Sequence, residues 1–178
     1  MDALNLVSGT SGNVSSRVSW ADRLLITPSS IPYADLTPED IVIMDLKGNL
    51  HSDNHPPSME HIIHLQVYRA RKDVGAVYHT HSIYASALAC LGLPLPDLFE
   101  ERAVNIGGPV PVAAFAQSGT DRLAKNLCRA LGKGDAVLMA SHGALCVGSS
   151  LETGLQVAAS LEREAMSYFQ ARSLGMLK

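Results

Sequence analysis

The chain has 178 residues, 47% of them hydrophobic and 17% charged, with a formal net charge of -3, which is ample material for one globular domain over residues 1–178. Acidic residues outnumber basic ones, 17 to 14, and this excludes the basic face that counterion-driven nucleic-acid binding needs. No apolar run approaches the roughly 18 residues of a membrane span, and the start MDALNLVSGT lacks the basic and long apolar regions of a signal peptide, so a cytoplasmic location is expected.

In chain order, Asn13 to Ser19 and Asp22 to Thr27 read as a hairpin across Trp20-Ala21, closed before Pro28. Asp40 to Leu46 is a further strand ending in the Lys47-Gly48-Asn49 turn. From Ser58 the period lengthens: Met59, Ile62, Ile63, Gln66, Val67 and Ala70 mark one face of a helix, with Ser58 as its predicted N-cap. Val74 to Thr80 is a strand, Ser82 to Leu91 a short Ala-rich helix, Val110 to Phe115 a strand and Gly119 to Leu131 a helix. Ala136 to Ala140 and Ala144 to Val147 follow as short buried strands, and Leu151, Leu155, Ala158, Leu161, Ala165 and Phe169 form the stripe of a long final helix. Strands joined both by hairpins and through helices predict an α/β or α+β class with a layered core and a mixed, largely antiparallel sheet.

Three cysteines, Cys90, Cys128 and Cys146, are scattered among Ala and Leu and are expected to be reduced core thiols rather than a disulfide or zinc framework. Histidine is more abundant, with seven residues. In Val77-Tyr78-His79-Thr80-His81 a strand would send both imidazoles from one face about 7 Å apart, close enough for one metal ion. The same spacing also suits a polar strand end whose rings bond backbone or solvent. His142 follows an apolar strand and precedes Gly143, where a site residue or a hydrogen-bonded turn histidine would sit. Glu60 lies in the first helical turn, as a metal carboxylate or as a helix-dipole acid. Three neutral imidazoles plus a carboxylate would suit a catalytic zinc. His61 and His64 are spaced to clip a metal with Glu60 or simply to populate an amphipathic helix, and His51 and His55 are expected in a solvent-facing loop.

Gly9-Thr10-Ser11-Gly12-Asn13, Thr27-Pro28-Ser29-Ser30 and Pro57-Ser58-Met59-Glu60 are turns rich in hydroxyl and backbone donors, able to cradle a phosphate without basic residues. None of them fits a P-loop or dinucleotide fingerprint, which disfavours a nucleotide.

The order of these motifs, closing with His79-Thr80-His81-Ser82 and His142-Gly143, resembles the class II aldolase/adducin family from about residue 5 to residue 170. Within it the chain looks most like the branch that cleaves L-fuculose 1-phosphate. The resemblance implies a three-layer α/β/α sandwich, a Zn2+ ion or another divalent metal such as Mn2+ or Co2+, and a homotetramer with active sites at subunit interfaces. It makes His79, His81 and His142 the metal imidazoles and Glu60 the acid that ligates the metal and serves as base. Gly12, Asn13, Ser29, Ser30, Ser58 and Met59 match phosphate-binding positions, although Ser30 replaces a common glycine and Met59 a common serine. Glu101 stands where the aldolases carry a proton-transferring tyrosine and where sugar-phosphate dehydratases of the family resemble this chain in having glutamate. Both termini are lean for the family, which leaves open whether Met1 is the natural start. The implied reaction is reversible retro-aldol cleavage of a ketose 1-phosphate to dihydroxyacetone phosphate and an aldehyde. A dehydratase of methylthioribulose-1-phosphate type or a 4-epimerase would use the same site, and a non-enzymatic adducin-like interaction module is the alternative of another class.

Overall fold

The computed structural model describes residues 1–18, 20–97, 100 and 102–175. Strands β1 (Asn13–Val18) and β2 (Arg23–Ile26) form the predicted hairpin, and β3 (Val42–Asp45) extends it antiparallel to β2. After helix α1 (His61–Ala70) the chain crosses to the other side of β1, where β4 (Ala76–Thr80) pairs antiparallel with it. Helices α2 (Ile83–Leu91) and α3 (Arg102–Asn105), strand β5 (Val112–Ala113) and helix α4 (Asp121–Leu131) lead to the β6 (Ala136–Met139) and β7 (Gly143–Gly148) hairpin, and α5 (Leu151–Ser173) ends the described fold. Among the described residues the seven-stranded order is β3-β2-β1-β4-β7-β6-β5, and the β5–β6 pair alone is parallel. The expected mixed, largely antiparallel sheet is present.

Alternation along the central strands builds two cores. Val77, Val137, Met139, Leu145 and Val147 face α1 and α4, where Ile63, Val67, Leu123 and Leu127 meet them. Ala76, Tyr78, Leu138, Ala144 and Cys146 face α2 and α5, against Leu88, Val157 and Leu161. Covered on both faces, β4 and β6 are buried at every position, and β6 reads in the sequence as an unbroken apolar run. The outer strand β2 buries Leu24 and Ile26 and exposes Arg23 and Leu25, the signature of a strand covered on one side. The result is the three-layer α/β/α sandwich. No helix among the described residues is long and apolar enough to cross a membrane.

Several expectations shift. The first helix begins at His61, with Glu60 rather than Ser58 as its N-cap. The strand expected from Val110 to Phe115 pairs over only two residues, because Pro111 removes a ladder donor from its first half and Pro109 another just ahead of it. The four-residue α3 carries no periodicity to read. Cys146 is a core thiol, but Cys90 is exposed and Cys128 half-buried; all three are free.

The start of α2, directly after His81, is capped from another element. Ser82 makes no side-chain cap bond; instead the Glu162 carboxylate on α5 accepts from the backbone N–H groups of Tyr84 at 2.9 Å and Ala85 at 3.0 Å. These are orphan donors of a helix N-terminus, facing a negative charge as the dipole favours. Glu162→Ala is expected to lower unfolding free energy by about 1–2 kcal/mol, measured as a shift of the urea midpoint at unchanged slope.

Candidate active site

His79 is the fourth residue of β4 and shares its sheet face with Val77, so it points toward α1 from the middle of the sheet and is fully buried. His81 lies just beyond the strand, its backbone N–H held by the Leu6 carbonyl at 3.0 Å. The turn between β6 and β7 brings His142 alongside, because β7 pairs with β4 through Thr80 and Ala144. Gly143 permits that approach: a Cβ there would stand 2.3 Å from the Thr80 carbonyl oxygen. The three ring centroids lie 4.6, 4.8 and 4.9 Å apart, and one nitrogen from each ring falls within 4.8 Å of the others.

Glu60, at the α1 N-terminus, completes the cluster. Its Oε2 is 3.0 Å from His79 Nε2 and its Oε1 is 3.6 Å from His142 Nε2. The donor arithmetic favours a cation. His79 Nδ1 lies 3.0 Å from the Ala144 carbonyl, which can only accept, so Nδ1 carries the proton and Nε2 of the neutral ring is a lone pair. That lone pair faces His81 Nε2 at 2.8 Å and the Glu60 carboxylate, while Glu60 Oε1 is buried with no hydrogen-bond partner. Converging lone pairs and an orphaned carboxylate oxygen fit a divalent ion with nitrogen and oxygen ligands. Burial, then the neighbouring His79 and His142, push the His81 imidazole down to about 4. Burial and His79 likewise lower His142, so both rings offer bare nitrogens at neutral pH. Burial raises the Glu60 carboxyl, but positive charge on its His79 and His142 side, with the Asn13 hydrogen bond, outweighs it and holds the group at about 2; with both rings neutral, a cation in the cluster would supply that charge.

A cleft of about 240 Å³ opens beside the cluster, lined by Gly12, Asn13, Ser29, Ser30, Ser58, Met59, Glu60, His81 and His142. The three donor-rich turns therefore meet the imidazoles, and among the described residues no Lys or Arg lines the cleft. Gly12, at φ +72, is confined by the His79 carbonyl, 2.6 Å from where its Cβ would be, so the turn runs against the strand that carries the metal candidate. Ser30 adopts φ 64, a left-handed conformation that glycine takes freely and that costs a serine about 1 kcal/mol or more. Ser58 turns the chain into α1, its hydroxyl accepting from the Glu60 N–H at 3.3 Å. Sequence reasoning missed Ser118, which lines the cleft with its hydroxyl 3.5 Å from His142 Nδ1; a Ser-Gly turn ahead of a helix offers no local signal of that role.

The other candidates separate. Both nitrogens of His64 are engaged by Ser15 and Asn13, so it is no metal clip with His61. His51 and His55 sit partly exposed and pair with Asp45 and Asp40. Glu101 lies outside the described residues.

A three-layer α/β/α sandwich with three imidazoles and a carboxylate beside a cleft of uncharged donors defines an α/β protein with a candidate metal centre. The chain belongs to the class II aldolase and adducin family: residues 1–169 match the family model described as the class II aldolase and adducin N-terminal domain. It is 38% identical over 167 residues to the 5-methylthioribulose-1-phosphate/5-deoxyribulose-1-phosphate aldolase of Rhodospirillum rubrum, covering 94% of this chain and 74% of that one. It is 36% identical over 176 residues to the L-fuculose phosphate aldolase of Haemophilus influenzae, covering 99% and 80% of the two chains. A solved L-fuculose 1-phosphate aldolase superposes with a TM-score of 0.93 at 37% identity, over 97% of this chain and 81% of that one.

Proposed function

We propose that the protein is a divalent-metal-dependent aldolase that reversibly cleaves a ketose 1-phosphate to dihydroxyacetone phosphate and an aldehyde. The observation that carries this reading is the meeting of a three-imidazole, one-carboxylate cluster with a cleft of neutral anion donors. Relatives named for methylthioribulose 1-phosphate and deoxyribulose 1-phosphate, and the solved L-fuculose 1-phosphate aldolase, support it, since the named substrates share the ketose 1-phosphate end.

His79, His81, His142 and Glu60 would hold the ion, and the nitrogen-rich set favours zinc over Mn2+ or Co2+. Bound there, a divalent ion supplies Lewis-acid stabilisation of the negative charge that develops on the substrate oxygens. The remaining work falls to the chain. Backbone and hydroxyl donors of Gly12, Ser29, Ser30 and Ser58, with the backbone at Met59, anchor the phosphate, so remote binding energy positions the reacting carbons. Asn13 Nδ2 spends one hydrogen on Glu60 and keeps its second for a ligand in the cleft it lines. In the cleavage direction the C3–C4 bond breaks, the C4 hydroxyl loses its proton and C3 gains one. Glu60 carries the C3 proton through its unpartnered Oε1. Glu101 is assigned the C4 hydroxyl proton on sequence position alone.

Assembly as a homotetramer with the cleft at a subunit interface belongs to the same reading. It is supported by exposed apolar side chains: Met59, which lines the cleft, is 75% exposed, and Phe115, three residues before the cleft residue Ser118, is 67% exposed.

The test is metal analysis of the purified protein followed by turnover of ketose 1-phosphates with and without chelator, reading dihydroxyacetone phosphate through coupled NADH oxidation. Chelation is expected to remove activity and added zinc to restore it. Zinc-loaded protein that yields a dehydrated or epimerised sugar phosphate instead would reassign the reaction, and inactivity on every ketose phosphate would overturn the reading.

A further inference from the structure

Helix α1 crosses strand β1 with matched spacings. Glu60, His64 and Tyr68 recur every four residues at the N-cap and along one helix face, a rise of about 6 Å per step. Asn13 and Ser15 lie two apart on one sheet face, about 6.8 Å. The two rows interdigitate. Tyr68 Oη meets Ser15 Oγ at 2.8 Å, Ser15 Oγ meets His64 Nδ1 at 2.6 Å, His64 Nε2 meets Asn13 Oδ1 at 2.5 Å and Asn13 Nδ2 meets Glu60 Oε2 at 3.2 Å. Asn13, Ser15, His64 and Tyr68 are all buried.

Every donor in this run is fixed by the group that follows it. An ionised Glu60 only accepts, so the Asn13 amide must present Nδ2 to it and Oδ1 to His64. Oδ1 only accepts, so His64 carries its proton on Nε2 and leaves Nδ1 bare. Nδ1 then accepts a hydrogen bond from the Ser15 hydroxyl, and Ser15 accepts from Tyr68. Burial raises the Tyr68 phenol, which keeps it a donor, and burial depresses the His64 ring to about 3, which keeps it neutral. All the bonds point the same way, toward the carboxylate, and each polarises the next. The outcome is a division between the Glu60 oxygens: Oε2 is tethered, while Oε1 has no partner.

We propose that His64 is a positioning residue for the proton-carrying carboxylate: through Asn13 it locks the amide orientation that tethers Glu60 Oε2 and leaves Oε1 free. An amide chain cannot relay protons, so the effect is geometric. It rests on the proposed role of Glu60, because only a group that must meet a substrate carbon gains from a fixed rotamer.

Two measurements test it. Long-range proton–nitrogen NMR of the histidine-labelled wild-type protein, zinc-loaded, reads the ring directly; a neutral His64 with its proton on Nε2 is expected, and a proton on Nδ1 or a charged ring overturns the proposal. Kinetics at saturating zinc then compare His64→Leu, which removes the donor to Asn13, with His64→Gln, whose terminal amide can restore it. His64→Leu is expected to lower kcat about tenfold to a hundredfold, the usual cost of losing an outer partner, with KM and zinc content nearly unchanged. His64→Gln is expected to recover most of that loss. Equal losses in both variants, or a loss in zinc content that accounts for the rate, would show a merely structural residue. If His64→Leu does not fold, the ring tautomer and the His64→Gln rate still decide the matter. Wild-type protein that makes no dihydroxyacetone phosphate would sink the proposed activity separately, leaving the tautomer to decide the hydrogen-bond assignment.

Discussion

Replacing His79 with alanine is expected to strip the bound metal and to lower turnover by about 10³-fold or more, the several kcal/mol of charge stabilisation that such an ion provides. His79 is the hinge of the cluster. It is fully buried, its ring lies within 4.8 Å of both other imidazoles, and its Nε2 faces both His81 and Glu60. The Ala144 carbonyl fixes its tautomer, so the lone pair is presented before any ion arrives. Alanine leaves two imidazoles and a carboxylate around a hole that the rigid central strand cannot close. The readouts are zinc per chain after dialysis and dihydroxyacetone phosphate formation. His55→Ala is the control, because that ring pairs with Asp40 outside the cleft and should keep both. One equivalent of zinc and full turnover in His79→Ala would refute the ligand assignment.

Much of this was legible because it is local. The two-residue step from His79 to His81 reports strand geometry, the apolar run ending at His142-Gly143 reports a buried strand emerging into a turn, and alternation along β2 reports a one-sided sheet. What could not be read is non-local or runs against local rules. Ser58 is the better capping residue by chemistry, yet Glu60 holds the N-cap and makes no side-chain cap bond, because its carboxylate is turned to His79. Function overrides the capping preference there. His64 looks like an ordinary helix histidine, but its partners Asn13 and Ser15 stand 51 and 49 residues away. Their meeting follows from β1 lying under α1, which no single segment encodes.

Glu60→Gln is expected to lower kcat by about 10²–10⁴-fold, the range for loss of a positioned proton-transfer group, while the three imidazoles retain the metal. Glutamine keeps length and shape, and its carbonyl can still accept from Asn13 Nδ2, so the side chain stays in place and loses only its capacity to hold a proton. Glu60→Asp makes the opposite trade: the acid survives but is drawn back toward the helix, away from Asn13 and from the substrate carbon. A displacement near 1 Å can cost about 10²-fold in a site of this kind, so the aspartate variant is also expected to be slow. The two are separated by deuterium exchange into dihydroxyacetone phosphate, which requires proton removal from C3 but no aldehyde. Glu60→Gln should stop exchange, whereas Glu60→Asp should exchange slowly and respond to pH. Full exchange in Glu60→Gln at normal metal content would move the proton to another group and leave Glu60 a ligand alone.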